Sequence, residues 1–290
     1  MNMTDNTKGV IFILVSMFGF VVNDTLMKSL FITFPLVEII FLRALFCLLP
    51  LFIAIKIQRV AIVNYSRTSW SLMLLRGFTE VMATLTFLNA LKHLPLPNVT
   101  AIIQILPLTV TMAAALFLNE RVGLKRWTAI VIGFIGVMIV IKPGTEGFSS
   151  YSYYAVLSVI FVTMREIVTR KIPAEVPAIM ITFITALSVG ITATICLPFI
   201  TLKALDTTAF MLVWSAGLAI FVGYFFSIKS MRIGEISFVS QFRYTAMIWA
   251  VLLGYFVFND IPAQNTIIGA LIIVASGLYA FHRKRLKEAT

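Results

Sequence analysis

Asp24, Glu38, Arg43, Glu80, Arg165, Glu166 and Arg243 lie inside stretches of sequence that are otherwise apolar. A charge placed in hydrocarbon costs roughly 2.5–3.5 kcal/mol on insertion scales. Seven of them together would cost on the order of 20 kcal/mol, more than a folded domain's usual net stability of about 5–15 kcal/mol. Such residues must face one another or a wet cavity, where they can recognise a polar solute, couple to an ion or gate a passage. Bond-making chemistry lacks its parts. There is no H-E-x-x-H, G-x-S-x-G, P-loop or glycine-rich dinucleotide turn, and only two histidines, His93 and His282. The two cysteines, Cys47 and Cys196, each sit in an apolar run, giving no disulfide or metal framework. The chain is therefore expected to be no enzyme and to need neither a cofactor nor a metal.

Several of these charges have a neighbour four residues away, which is one helical turn. Arg76 and Glu80 can pair within a helix, or Glu80 can line a cavity; Asp24 with Lys28 and Glu166 with Arg170 offer the same choice. Glu38 lies near a helix start, where the dipole favours a carboxylate. Arg43, deeper in the same segment, calls for a carboxylate on another helix or an anionic group of a solute. Arg243 lies about two turns into its segment, between Gln241 and Tyr244. Gln104, Gln241 and Asn23 can hydrogen-bond a neutral solute or join helices, while Trp214, Tyr224, Tyr244 and Trp249 can stack on a planar ring. Substrate contacts are expected from Arg243, Gln241, Tyr244, Trp249, Gln104 and Asn23. Coupling or gating is expected from Asp24, Glu80, Glu166 and Arg43.

The elements that must position these groups are membrane helices. The chain is 60% hydrophobic and 12% charged over 290 residues, with a mean hydropathy of +1.00, against about 45–50% and 25% in soluble domains. Apolar runs long enough to cross a hydrocarbon core of about 30 Å fall at about 9–31, 35–56, 70–91, 97–118, 125–142, 153–170, 177–200, 209–228, 236–258 and 264–282. The run after Lys8 is too long for a signal-peptide core and lacks a small-x-small cleavage site, so it reads as a retained first span. The net charge of +11 does not point to nucleic acid, because the basic residues sit singly or in small groups at helix ends. With the N-terminus inside, sixteen Lys and Arg fall on the cytoplasmic side and four (Lys28, Lys92, Lys142, Lys203) on the other. That bias places both termini in the cytoplasm.

The sequence also repeats itself. Shifted by 140, Ala90-Leu91-Lys92 falls on Ser230-Met231-Arg232 and Asn119-Glu120 on Asn259-Asp260. At a shift of about 142, Asp24…Lys28…Pro35 falls on Glu166…Arg170…Pro177. Five helices per half is an odd number, so the second half must enter the membrane from the opposite face. The expected fold is an all-α membrane protein of ten transmembrane helices in two inverted five-helix repeats, residues 1–146 and 147–290, the second ending in a short basic cytoplasmic tail.

The paired segments Ala90-Leu91…Pro107…Asn119-Glu120…Trp127…Gly133…Gly136…Lys142-Pro143 and Phe242-Arg243-Tyr244…Trp249…Gly254…Phe258-Asn259-Asp260-x-Pro262 resemble the drug/metabolite transporter superfamily, in particular its ten-helix EamA-type members. The resemblance covers essentially the entire chain and implies a secondary carrier in the bacterial inner membrane, with a central cavity between two repeats. Gly19-Phe20-x-x-Asn23-Asp24-x-x-x-Lys28, Gly147-Phe148-Ser149-Ser150-Tyr151-Ser152 and Ile236-Ser237-Phe238-Val239…Phe242-Arg243-Tyr244-Thr245 are similar to the bacterial riboflavin transporters. Riboflavin uptake by alternating access is the function this implies; transport of S-adenosylmethionine or amino acids by the same architecture is the alternative, and a non-transporting membrane subunit a distant one. The expected partners are a small-molecule substrate and the lipid bilayer, with a homodimer as an assembly the sequence allows.

Overall fold

Apolar segments bounded by proline and polar turns become helices because a backbone without water nearby must satisfy its own hydrogen bonds. The computed structural model describes residues 5–60, 65–117, 122–143, 148–233 and 239–288, all helical or connecting, with no strand among them. The α-helices are α1 (Asp5–Leu30), α2 (Leu36–Ile57), α3 (Arg67–His93), α4 (Leu96–Ile103), α5 (Leu106–Phe117), α6 (Leu124–Ile141), α7 (Tyr151–Lys171), α8 (Ala178–Cys196), α9 (Thr207–Ile233), α10 (Thr245–Phe258) and α11 (Gln264–Glu288). A 3₁₀ turn, Ser240–Tyr244, leads into α10. Seven helices, counting α4 and α5 as one, are long and apolar enough to cross a membrane, and three shorter apolar helices (in α6, α10 and α11) bring the described total to ten. The chain is an integral membrane protein.

Sequence chemistry sets several helix ends. Pro35, Pro95 and Pro177 stand at the N-caps of α2, α4 and α8, where a missing N–H costs nothing. Ser66 caps α3 by accepting the Ser69 N–H at 3.1 Å. Asn259 ends α10 in the left-handed conformation at φ 54°, which asparagine tolerates, and the next N–H, of Asp260, returns to the Gly254 carbonyl.

The run expected to be one helix over 97–118 is broken at Gln104–Ile105. Pro107 cannot donate to the carbonyl one turn back, so the chain tightens there: Ile105 N–H reaches Ile102 O at 3.3 Å, and Leu108 N–H reaches Ile105 O at 2.9 Å. The ninth crossing, expected over 236–258, likewise enters through a 3₁₀ turn. Asn119 and Glu120, half of the repeated motif, lie outside the described residues.

With the ten apolar helices numbered in order, α4 and α5 counting as one, the most extensive contacts among the described residues are α1 on α9, α3 on α7, α6 on α11, α2 on α8 and α9, α3 on α8, α1 on α10, and α4 and α5 on α7. These are crossings 1·8, 3·6, 5·10, 2·7, 2·8, 3·7, 1·9 and 4·6. Adding five to every number, with ten followed by one, returns the same eight, whereas lesser contacts such as α8 on α9 and α4 on α11 have no counterpart of similar extent. On one face of the bundle, Lys28 Nζ at the end of α1 donates to Leu94 O at 2.8 Å and pairs with Asp260 Oδ2 at 3.1 Å. Asp260 also accepts the Leu96 N–H at 3.4 Å. This clasp ties α1, the α3–α4 turn and the end of α10 together.

Candidate functional site

The helices converge on a cavity of about 160 Å³, enough for on the order of ten waters. Its polar lining comes from α1 (Asn23, Asp24), α2 (Arg43), α3 (Glu80, Thr84), the α4–α5 break (Gln104), α7 (Arg165), α9 (Tyr224) and the 3₁₀ turn (Arg243). Phe20, Phe87, Met17 and Pro107 supply apolar wall. The site is thus built from both halves of the sequence and from both interrupted crossings.

Two kinds of electrostatic environment meet there. On one side each charge has a partner, although the Arg165 Nε is buried without a hydrogen bond. Arg165 Nη1 bridges to Glu80 Oε2 at 2.9 Å and its Nη2 to Glu166 Oε1 at 2.7 Å. Glu80 Oε1 accepts the Tyr224 hydroxyl at 2.7 Å. Arg243 Nη2 lies 3.7 Å from the same Glu166 oxygen and donates to Ser227 Oγ at 3.4 Å. Arg76 donates to Thr169 Oγ1 at 2.9 Å and to Thr185 Oγ1. A guanidinium presents a planar fork that can hold two carboxylates in fixed geometry, which suits Arg165 to the centre of this network.

On the other side the charges stay open. Arg43 Nη1 donates to Asn23 Oδ1 at 3.4 Å, and Asn23 Nδ2 donates to Asp24 Oδ1 at 2.9 Å. Among the described residues these are the only hydrogen bonds of the Arg43 and Asp24 side chains, and neither charge has an ion-pair partner within 4.0 Å. Arg43 is 4% exposed and Asp24 is partly buried, and both line the cavity.

The residues named from sequence distribute as follows. Asn23, Asp24, Arg43, Glu80, Gln104 and Arg243 line the cavity. Glu166 stands one contact behind it, through Arg165 and Arg243. Gln104 also turns its Nε2 to the Tyr244 carbonyl at 3.0 Å and the Arg243 carbonyl at 3.4 Å, joining the two interrupted crossings. Tyr244 is buried outside the lining, with its ring against Gly277. Trp249 packs edge-on against Phe18, ring centres 4.9 Å apart, and Trp214 is exposed on the bundle surface. The Gln241 side chain lies outside the described residues.

Pairing one turn away on the same helix is not what Glu80 and Lys28 do. Glu80 takes Arg165 rather than Arg76 as its near counterion, and Lys28 takes Asp260 rather than Asp24. Glu38 accepts the Lys203 backbone N–H with both oxygens, at 3.3 and 3.2 Å. Sequence reasoning noted the charge of Arg165 without seeing it as the hub; its adjacency to Glu166 was the available signal. Phe20, Phe87, Thr84 and Pro107 gave none, since one aromatic or proline in an apolar helix looks like any other.

Comparison with known proteins decides the family. The EamA-like transporter family matches residues 7–142 and again 149–281. This chain belongs to the EamA-like transporter family. An S-adenosylmethionine uptake transporter of Rickettsia conorii is 26% identical over 282 residues, covering 96% of this chain and 93% of that protein. A pseudopaline exporter of Pseudomonas aeruginosa is 25% identical over 276 residues, 92% of this chain and 94% of the exporter. A riboflavin transporter of Vibrio cholerae is 29% identical over 205 residues, 70% of this chain and 68% of the transporter. A solved crystal structure superposes with a TM-score of 0.72 at 15% identity, over 98% of this chain and 99% of that one, a likeness of fold. The EamA-like chain is thus a transporter with a small-molecule substrate.

Proposed function

We propose that this transporter carries a small ring-bearing metabolite across the bacterial inner membrane by alternating access, around the cavity where the two halves meet. Residues 1–146 and 147–290 then form inverted five-crossing repeats with both termini in the cytoplasm. The eight most extensive helix contacts support this: the set is unchanged when every crossing number rises by five. A reciprocal contact adds weight. A Cβ on Gly133 would come within 3.2 Å of Ser276 Oγ, and one on Gly136 within 2.8 Å of Ile273 Cγ1. Positions 273 and 276 are 133 and 136 shifted by 140, and such exchanged pairs are what a two-fold axis produces. Two equivalent halves give two equivalent conformations, each opening the cavity to one face. The Lys28–Asp260 clasp closes one face, and its release is the step assigned to opening there.

The observation that carries the substrate reading is the open carboxylate of Asp24 beside the ion-paired Glu80 and Glu166. A carboxylate with no ion-pair partner within 4.0 Å favours a solute that brings a cation, and the equally open Arg43 one amide away favours one that also brings an anion. S-adenosylmethionine, with a sulfonium, an ammonium and an adenine ring, fits that charge and the Phe20 and Phe87 walls. The relatives that take it up match over nearly the whole chain. Riboflavin, the substrate implied by the sequence resemblance, is the second reading; Phe20, Phe87 and Gln104 favour its flat, uncharged ring, as does the Vibrio relative.

Uptake of labelled S-adenosylmethionine, riboflavin, and aromatic and cationic amino acids into proteoliposomes, with and without a pH gradient, tests both readings. Saturable S-adenosylmethionine flux is expected. Flux of riboflavin alone would replace the first reading by the second, and no flux of any solute would end both.

A further inference from the structure

We infer that Asn23, Asp24 and Arg43 form a subsite for the α-amino-acid head of the substrate: Asp24 takes the ammonium, Arg43 takes the carboxylate, and Asn23 holds the two apart. This deepens the transport reading above and rests on it.

The argument starts from what the three side chains lack. Asn23 Oδ1 accepts from Arg43 at 3.4 Å while its Nδ2 donates to Asp24 at 2.9 Å, so one amide separates a guanidinium from a carboxylate and fixes both. Those bonds use a single nitrogen of Arg43 and a single oxygen of Asp24. A guanidinium offers five N–H donors and a carboxylate about four lone-pair sites, so most of the capacity of each faces the cavity they line. Every other described charge around the cavity has a charged or hydroxyl partner, with only the Arg165 Nε left over. Arg165 holds two carboxylates, Glu80 takes Arg165 and Tyr224, Glu166 takes Arg165 and Arg243, and Arg76 takes two threonines.

An open positive and an open negative group lining one cavity recognise a zwitterion better than either recognises a single charge. Each end of an α-amino acid completes one protein group, and neither buried charge is left over. A ring attached to that head then reaches Phe20 and Phe87 on the same cavity wall. The substrate class is therefore an α-amino acid joined to a heteroaromatic ring, and a ring compound without the head leaves the free bonding capacity of both groups unused. Bidentate carboxylate binding would also make lysine a poor replacement at position 43.

Competition in proteoliposomes bearing the full chain tests this without any mutation. Labelled S-adenosylmethionine uptake is challenged by S-adenosylhomocysteine, which keeps ring and head, and by 5′-methylthioadenosine, which keeps the ring and loses the head. Half-inhibition by the first is expected at a concentration tenfold or more below that of the second. Asp24→Asn and Arg43→Lys, checked for a monodisperse peak in detergent, should each raise the half-saturation concentration tenfold or more and abolish the difference between the two competitors. Equal inhibition by both compounds in the unmutated chain would overturn the subsite and leave S-adenosylmethionine transport standing. Riboflavin flux that neither head-bearing compound inhibits would overturn the subsite together with the first substrate reading.

Discussion

Arg165 satisfies two carboxylates from two helices and is 12% exposed at its side chain. Removing one member of a buried charge network typically costs about 3–5 kcal/mol, because the partner's charge stays buried without compensation. Arg165→Met is therefore expected to lower stability by about that much, seen as a fall in detergent melting temperature and in yield of monodisperse protein. Arg165→Lys should recover only part of the loss, since an ammonium cannot span Glu80 and Glu166 with parallel bonds. Tyr224→Phe removes one hydroxyl bond to Glu80 and should cost less, about 1.5–3 kcal/mol, the usual worth of a hydrogen bond to a charged group. Equal losses for all three variants would mean that the network is held by packing and that its charges are incidental.

The helix pair α6–α11 is joined by backbone approach. A Cβ on Gly136 would come within 2.9 Å of Gly269 O, and one on Gly269 within 2.6 Å of Gly136 O. Carbonyl oxygens cannot rotate away as side chains can, so Gly136→Val should force the helices apart. Overpacking of this kind costs about 1–3 kcal/mol, measurable as a shift in thermal unfolding in detergent. A neutral result would mean that the two helices separate at no cost. The Gln104 side chain bridges the two interrupted crossings through the Tyr244 and Arg243 carbonyls. Gln104→Ala is expected to slow solute exchange severalfold while changing stability by only about 1 kcal/mol, the net worth of a neutral hydrogen bond. Counterflow rates beside melting curves on the same preparation separate the two effects.

For the molecule as a whole, the expected outcome concerns sidedness and closure. Cysteines replacing Arg126 and Lys142 should react with a membrane-impermeant thiol reagent from opposite faces, because α6 lies between them. Labelling from the same face would remove the ten-crossing arrangement and the inverted repeats with it. Asp260→Lys places two cations at the clasp and should raise solvent access from that face while lowering net transport. Adding Lys28→Asp to it restores opposite charge and should recover part of the rate, though not the backbone contacts to Leu94 and Leu96.

Membrane residence, the number of apolar runs and the set of chargeable residues were written in the sequence, because hydrocarbon imposes a length on helices and a penalty on charges that any single chain displays. Asp24, Arg43, Glu80 and Arg243 could be named as cavity residues for that reason alone. Which charge meets which could not. Neighbours at one-turn spacing looked self-sufficient, yet Glu80 found Arg165 eighty-five residues away and Lys28 found Asp260 two hundred and thirty-two away. Partner choice is a property of packed helices, since geometry between elements and not proximity along one of them decides which desolvated groups touch. The aromatic expectations show the same limit. Tyr244 and Trp249 sit outside the cavity lining while Phe20 and Phe87 line it, because helix rotation about its own axis is set by neighbours. The sequence determined the solvent, the element lengths and the costly groups; only the tertiary structure decided which of those groups stay open for a solute.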